Sequence, residues 1–185
     1  QLSLHLPDMD LLEKKIPQMD YISPQNSRGN FGNPGEQMNR NGKSTTYTLT
    51  GDYPAGNKIS EKKLIFGRYI NDADVTASKN VVVIGEEIYK NFFDAKKNEN
   101  PIGKSINIKG IFFNVIGVYK VAKAGGPMDD DTTAYIPLST YTKMYNDGDK
   151  VGFFAIVSKP EANLETVEEQ AKLELKKKNN VSPED

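Results

Sequence analysis

The chain has 185 residues, enough for one ordinary domain or two small lobes sharing a core, and its 37% hydrophobic and 26% charged content is that of a globular rather than a disordered protein. A formal net charge of -1 gives no electrostatic footprint for nucleic acid, so that partner class is set aside. With no cysteine there are no disulfides, thiolate metal sites or cysteine nucleophiles, and the densest apolar run, residues 81–84, is far too short to span a membrane.

Asp8 is placed to cap a short helix over residues 9–16, with Leu12 and Ile16 on one face and Pro17 as its stop. Residues 26–46 are polar and rich in Gly and Asn. Within them Asn41-Gly42 is the preferred type I′ pair, predicting a hairpin between a strand over 36–40 and a stronger one over 44–50. "LIFGRYINDADV" (residues 64–75) reads as an apolar strand end followed by a polar turn. Residues 81–84 form a buried strand by β-branching, and 86–93 a helix carrying Ile88, Phe92 and Phe93 inward. Residues 106–108 and 111–119 predict a second hairpin, turning at Lys109-Gly110. A surface loop is expected over 121–131, then a short strand over 134–137 and a clear one over 153–158. Asn163 caps the longest helix, residues 164–178, with Leu164, Val167, Ala171 and Leu175 on one stripe. Glu168 with Lys172 and Glu174 with Lys178 are i,i+4 pairs on its wet face. The list gives an α+β fold with more strand than helix.

Chemistry is scarce in this list. "NENPIGKSINIKG" (residues 98–110) contains Gly103-Lys104-Ser105, the closing half of a phosphate loop. The glycine that should stand five residues before Gly103 is Asn98, Pro101 removes a backbone donor, and a period-2 strand follows where a helix is required. His5 has no acid or second histidine beside it in sequence, so a surface role is expected. Asp129–Asp131 lack the spaced oxygens and central glycine of a calcium loop. Asp72 and Asp74 read as turn caps rather than an acid–base pair, and Lys176–Lys178 as cations complementing a helix dipole. Phe112-Phe113 and Phe153-Phe154 each put one ring on either face of a strand, as core or lobe contacts do. No nucleophile stands with a base. The reading is a non-enzyme without cofactor, metal or catalytic residue.

Four segments, in order, carry a resemblance. "GRYINDADV" is similar to the Gly-Arg-aromatic-x-x-x-x-Asp turn of the extracytoplasmic core domain of MacB-type (FtsX-like) ABC transporter permeases. "NVVVIGEEIYKNFF" resembles that domain's following strand and helix, "NPIGKSINIKGIFFNVIGVYK" its Asn-Pro-Ile-Gly turn and hairpin, and "DDDTTAYIPLSTY" its Asp-rich loop and Tyr-Ile-Pro-Leu strand. "DMDLLEKKIPQMDYISP" fits the family's first helix and strand more loosely, and residues 26–46 match nothing in it.

The resemblance implies a non-catalytic periplasmic domain set between the first two transmembrane helices of an inner-membrane permease. It implies two lobes: a porter-like βαβ lobe built from both chain ends (residues 1–50 plus 126–185) and an inserted, mostly β lobe (51–125). The implied partners are an ABC ATPase subunit or domain, a second permease copy, and a periplasmic adaptor (membrane fusion protein) or lipoprotein carrier. The implied work is coupling ATP hydrolysis to export or lipoprotein release. On this reading Gln1 and Asp185 were both cut beside membrane spans and emerge from the same end of the molecule. The alternative is a free-standing periplasmic or surface domain of the ligand-binding or adhesin-like kind.

Overall fold

The computed structural model describes residues 3–29, 32–59, 61–121 and 131–178. In chain order the elements are β1 (Leu4–His5), α1 (Leu6–Lys15), β2 (Met19–Arg28), β3 (Glu36–Arg40), β4 (Lys43–Asp52), α2 (Gly56–Ile59), β5 (Lys62–Gly67), α3 (Asp72–Thr76), β6 (Val81–Gly85), α4 (Glu86–Phe92), β7 (Ser105–Ile108), β8 (Ile111–Val121), β9 (Thr133–Pro137), α5 (Leu138–Tyr145), β10 (Lys150–Val151), β11 (Phe153–Ser158) and α6 (Leu164–Lys178). A short 3-10 turn, Ala95–Lys97, follows α4. The α+β class stands.

The Asn41-Gly42 hairpin forms as expected, with φ of 49° and 79° at the two turn residues and Arg40 paired to Lys43. Both left-handed values match the twist of the flanking strands. The second hairpin turns at Lys109 and Gly110, φ 53° and 81°, with Ile108 opposite Ile111. From β4 the hydrogen-bonded path runs through β3, β7, β8, β6 and β9, and β9 pairs in parallel with β4. Six strands thus close into a ring. Closure leaves the ring no free edge, and its apolar residues pool into one interior. Met38, Leu49, Val82, Ile84, Ile106, Ile108, Phe113, Val115, Ala134 and Ile136 belong to that single cluster, with Ile88 and Phe92 of α4 packed into it.

A second core unites the chain ends: Leu12 and Ile16 from α1, Met19 and Ile22 from β2, Val167, Ala171 and Leu175 from α6. The expected stripe on α6 holds at Val167, Ala171 and Leu175, while Leu164 at its start is exposed. Asn163 Oδ1 accepts from the Thr166 N–H, as its capping role requires. A third, smaller core gathers Tyr69, Ile70, Val81, Val83, Ile116 and Tyr119 beside the ring.

Four local readings are corrected. Helix α1 begins at Leu6, not after Asp8; Asp8 lies inside its first turn, and its Oδ2 accepts the His5 N–H at 2.8 Å. A carboxylate three residues into a helix reaches back to the N–H before it, and Pro7 suits the first turn because its missing donor is not needed there. Lys178 does not serve Glu174, whose ion pair is with Lys177 at 3.7 Å; Lys178 reaches Asp8 instead. Part of the polar stretch 26–46 continues β2, which pairs with β11 up to Gln25 and with β4 from Asn26. Because β2 changes partners there, Pro24 interrupts only a one-sided ladder. Helix α5 has no counterpart in the expected elements. Of the loop expected over 121–131, residues 122–130 lie outside the described residues, as do Gln1 and Asp185.

Candidate functional site

Two polar constructions hold the cores in register. In the first, the chain leaves β5 through Gly67, whose φ of 65° and 2.0 Å approach of a notional Cβ to the Ile116 carbonyl admit only glycine. Arg68 then forks onto Asp74, Nη1 to Oδ2 at 2.7 Å and Nη2 to Oδ1 at 3.1 Å, and Nη1 also donates to the Tyr69 carbonyl. Asn71 and Asp74 exchange hydrogen bonds of 3.0 Å, each side chain accepting the other's N–H, which starts α3. Lys79 adds a second cation at 3.7 Å. Burial alone would raise the pKa of Asp74; the Arg68 and Asn71 hydrogen bonds and the charges of Arg68 and Lys79 outweigh it and hold the carboxyl below its ordinary value. The turn is thus a bidentate ion pair wrapped around a capping box.

In the second, Asp52 ends β4 fully buried. Its Oδ2 accepts the Tyr69 hydroxyl at 2.5 Å and its Oδ1 accepts from Gln25 Nε2 at 3.1 Å. Gly56 leaves room for the carboxylate, since a Cβ there would lie 2.1 Å from Oδ2. The Lys62 ammonium sits 4.4 Å from the Tyr135 ring centre, 5.0 Å from that of Tyr69 and 6.0 Å from that of Tyr119. Burial pushes the Asp52 carboxyl up, against the opposing pull of Tyr69, Lys62 and Gln25. Tyr69 in turn is pushed well up by burial and by the facing Asp52 charge. One carboxylate therefore ties β2, through Gln25, to the third core, through Tyr69.

A related contact stands where β2 ends beside the ring. Arg28 stands 4.1 Å and Lys109 4.2 Å from the Tyr145 ring centre, while the Tyr145 hydroxyl donates to Glu36 Oε1 at 2.6 Å. Nothing in local sequence links these residues; α5 brings them together.

The residues singled out in the sequence are scattered. Asp74 is a cap and ion-pair partner, and Asp72 opens α3 without joining it in a pair. The N–H groups of Ile102, Gly103 and Lys104 donate to Asn100 Oδ1, the Val115 carbonyl and the Pro101 carbonyl, so the Gly-Lys-Ser backbone is spent on its own sheet entry. Lys104 meets Glu99 at 3.3 Å. His5 does find an acid, Asp149, at 2.7 Å, but only through tertiary contact between β1 and the chain entering β10. Asp131 Oδ1 accepts the Val121 N–H, and Asp129 and Asp130 lie outside the described residues. Phe113 is core while Phe112 is 69% exposed, and Phe154 packs on the chain-end core. Among the described residues no cluster of acids and histidines suits a metal, and no helix is long and apolar enough to cross a membrane. Sequence reading missed Asp52, Lys62 and Tyr69. The only local signal was an acid closing the alternating stretch "TYTLTGD".

The family model of the MacB-like periplasmic core domain matches residues 2–173. The chain belongs to that family. It is 28% identical over 141 residues to the macrolide export ATP-binding/permease protein MacB of Bdellovibrio bacteriovorus, covering 76% of this chain and 20% of that protein. It is 30% identical over 129 residues to the pyoverdine export ATP-binding/permease protein PvdT of Pseudomonas aeruginosa, covering 67% of this chain and 18% of the relative. The chain thus spans about a fifth of the curated relatives it matches. The crystal structure of the periplasmic region of MacB from Actinobacillus actinomycetemcomitans superposes with a TM-score of 0.79 at 26% identity, covering 97% of this chain and 76% of that one. The extracellular domain of the transporter YknZ from Gram-positive bacteria shares the fold, with a TM-score of 0.78 at 16% identity, covering 97% and 86%. In this MacB-like core domain, the spacing in "GRYINDADV" is the distance from the guanidinium to the carboxylate it grips.

Proposed function

We propose that this chain is the extracytoplasmic domain of an inner-membrane ABC transporter permease, and that it works by coupling rather than by catalysis. ATP hydrolysis on a separate cytoplasmic domain or subunit moves the membrane helices. The external domain passes that motion to a periplasmic adaptor and to the second permease copy. Of export and lipoprotein release, export is favoured, because the matched relatives are named for macrolide and pyoverdine export. The observation that carries the reading is the family match over residues 2–173.

The coupling part rests on architecture. We divide the molecule into a porter-like lobe from both chain ends, around the Leu12–Leu175 core, and an inserted β lobe around the ring. We count Met38, Leu49, Ala134 and Ile136 of the ring core with the inserted lobe, and so draw that lobe wider than residues 51–125 on both sides. Strand β2, its Gln25–Asp52 bond and the Arg28–Tyr145 stack join the two. The test is deletion of residues 3–178 from the full-length permease, sealed with a short flexible linker. ATP hydrolysis by the purified transporter should persist while export from cells is lost. Export that survives the deletion refutes the reading.

A further inference from the structure

We propose that Asp149, His5, Asp8 and Lys178 form a clasp that fixes the start of α1 to the end of α6, so that a displacement of either chain end is handed to the other. The proposal deepens the permease reading and rests on it for its biological use.

The contacts run in series. Asp149 Oδ1 meets His5 Nδ1 at 2.7 Å, and the Asp149 carbonyl accepts the Leu6 N–H at 2.7 Å. The His5 N–H donates to Asp8 Oδ2 at 2.8 Å, and Asp8 Oδ1 receives the Lys178 ammonium at 2.5 Å. Asp8 is 1% exposed although it lies within the first turn of a surface helix, so Lys178 and the His5 amide replace its water. Lys178 is the last residue of α6.

Apolar packing between Leu12, Ile16, Val167, Ala171 and Leu175 holds the two helices together but is non-directional and tolerates sliding along their axes. A buried carboxylate with a single ammonium partner does not tolerate it, because any slide leaves the charge without water or counter-ion. The clasp therefore sets the axial register that the apolar stripe leaves free. Asp149 extends the same restraint to β10, whose neighbour β11 shares a ladder with β2.

The test uses hydrogen exchange on the 185-residue chain carrying Lys178→Met, Asp8→Asn or both. Amides in the last turn of α6 and first turn of α1 should exchange about tenfold faster or more in either single variant. The double variant should add nothing further, Lys178→Arg should behave as the parent, and β6 and β8 should be unchanged. Unaltered exchange at the helix ends overturns the proposal, as does a uniform rise that includes the ring. In the full-length permease Lys178→Met should lower export per ATP hydrolysed and Lys178→Arg should restore it. Loosened ends with unchanged export also overturn the proposal. Should the full-length protein prove not to be a membrane transporter, the permease reading fails, and the exchange arm still decides whether the clasp exists.

Discussion

Asp74 and Asp52 are both buried, and their surroundings drive them in opposite directions. Asp74 is held below its ordinary value by Arg68. Its contribution to stability is present above the unfolded value, about 3.9, and is lost as pH falls through the folded one. Asp52 is raised by burial. Its contribution is complete below about pH 4 and is lost as pH rises through the folded value. Urea midpoints collected from about pH 3 to 7 separate the two. Asp74→Asn should flatten the acid limb, and Asp52→Asn should remove a decline toward neutrality; the same pH profile for both variants contradicts these assignments. At neutral pH Asp74→Ala should cost roughly 2–3 kcal/mol, toward the low side for a broken buried pair because Arg68 is half-exposed. The Arg68–Asp74 grip was legible as a spacing and a cap. The Asp52 cluster was not, since Gln25, Asp52, Lys62, Tyr69 and Tyr135 meet only after four strands have paired.

At the scale of elements, the sequence spoke where local chemistry and tertiary context agree. Asn41-Gly42 and Lys109-Gly110 announced their hairpins because the turn geometry is demanded by the turn itself. Helix α5 stayed hidden because "LSTYTKMY" is rich in hydroxyl and aromatic residues of middling helix propensity. It is held from outside: Ser139 Oγ donates to the Val75 carbonyl at 2.6 Å and Thr140 Oγ1 to the Lys79 carbonyl at 2.7 Å. Strand β2 hid behind Pro24 and a polar second half. Helix α6 was plain from its stripe, and Leu175→Ala should cost about 3 kcal/mol by thermal or urea unfolding, since Leu175 is 6% exposed in the chain-end core. Lys104→Ala should leave stability near that of the parent, its pair with Glu99 being solvent-screened. Calorimetry with millimolar ATP or GTP should be silent for both proteins. Micromolar binding abolished by that substitution would falsify the hairpin-entry account of Gly103-Lys104-Ser105.

For the whole molecule, the α+β class was legible from the list of elements, and the union of the chain ends in one core from the α6 stripe, which needs a sheet that β11 alone does not supply. Closure of the ring was not, because the parallel pairing of β4 with β9 leaves no periodic trace in either strand. The ring strands offer no edge to a second copy, and among the described residues only the outer strands β5 and β11 of their sheet keep a free side. The isolated domain should therefore be monomeric or only weakly dimeric at low micromolar concentration; a tight dimer in sedimentation contradicts that expectation.

The pairing of β2 with β11 also dictates an order of assembly. Every ring strand has been synthesised by Pro137, whereas the chain-end core waits for Val167, Ala171 and Leu175. On a ribosome the interval from Pro137 to Leu175 takes roughly 2–8 s, ample for hairpins that form in microseconds to close the ring first. Through that interval Leu12, Ile16, Met19 and Ile22 have no core to enter, and the nascent domain carries an uncovered apolar helix and strand beside a finished ring. Gln25 and Phe153 must then find each other across most of the chain, the slow kind of contact in any protein. A factor that shields the first helix during synthesis would act in that window and nowhere else.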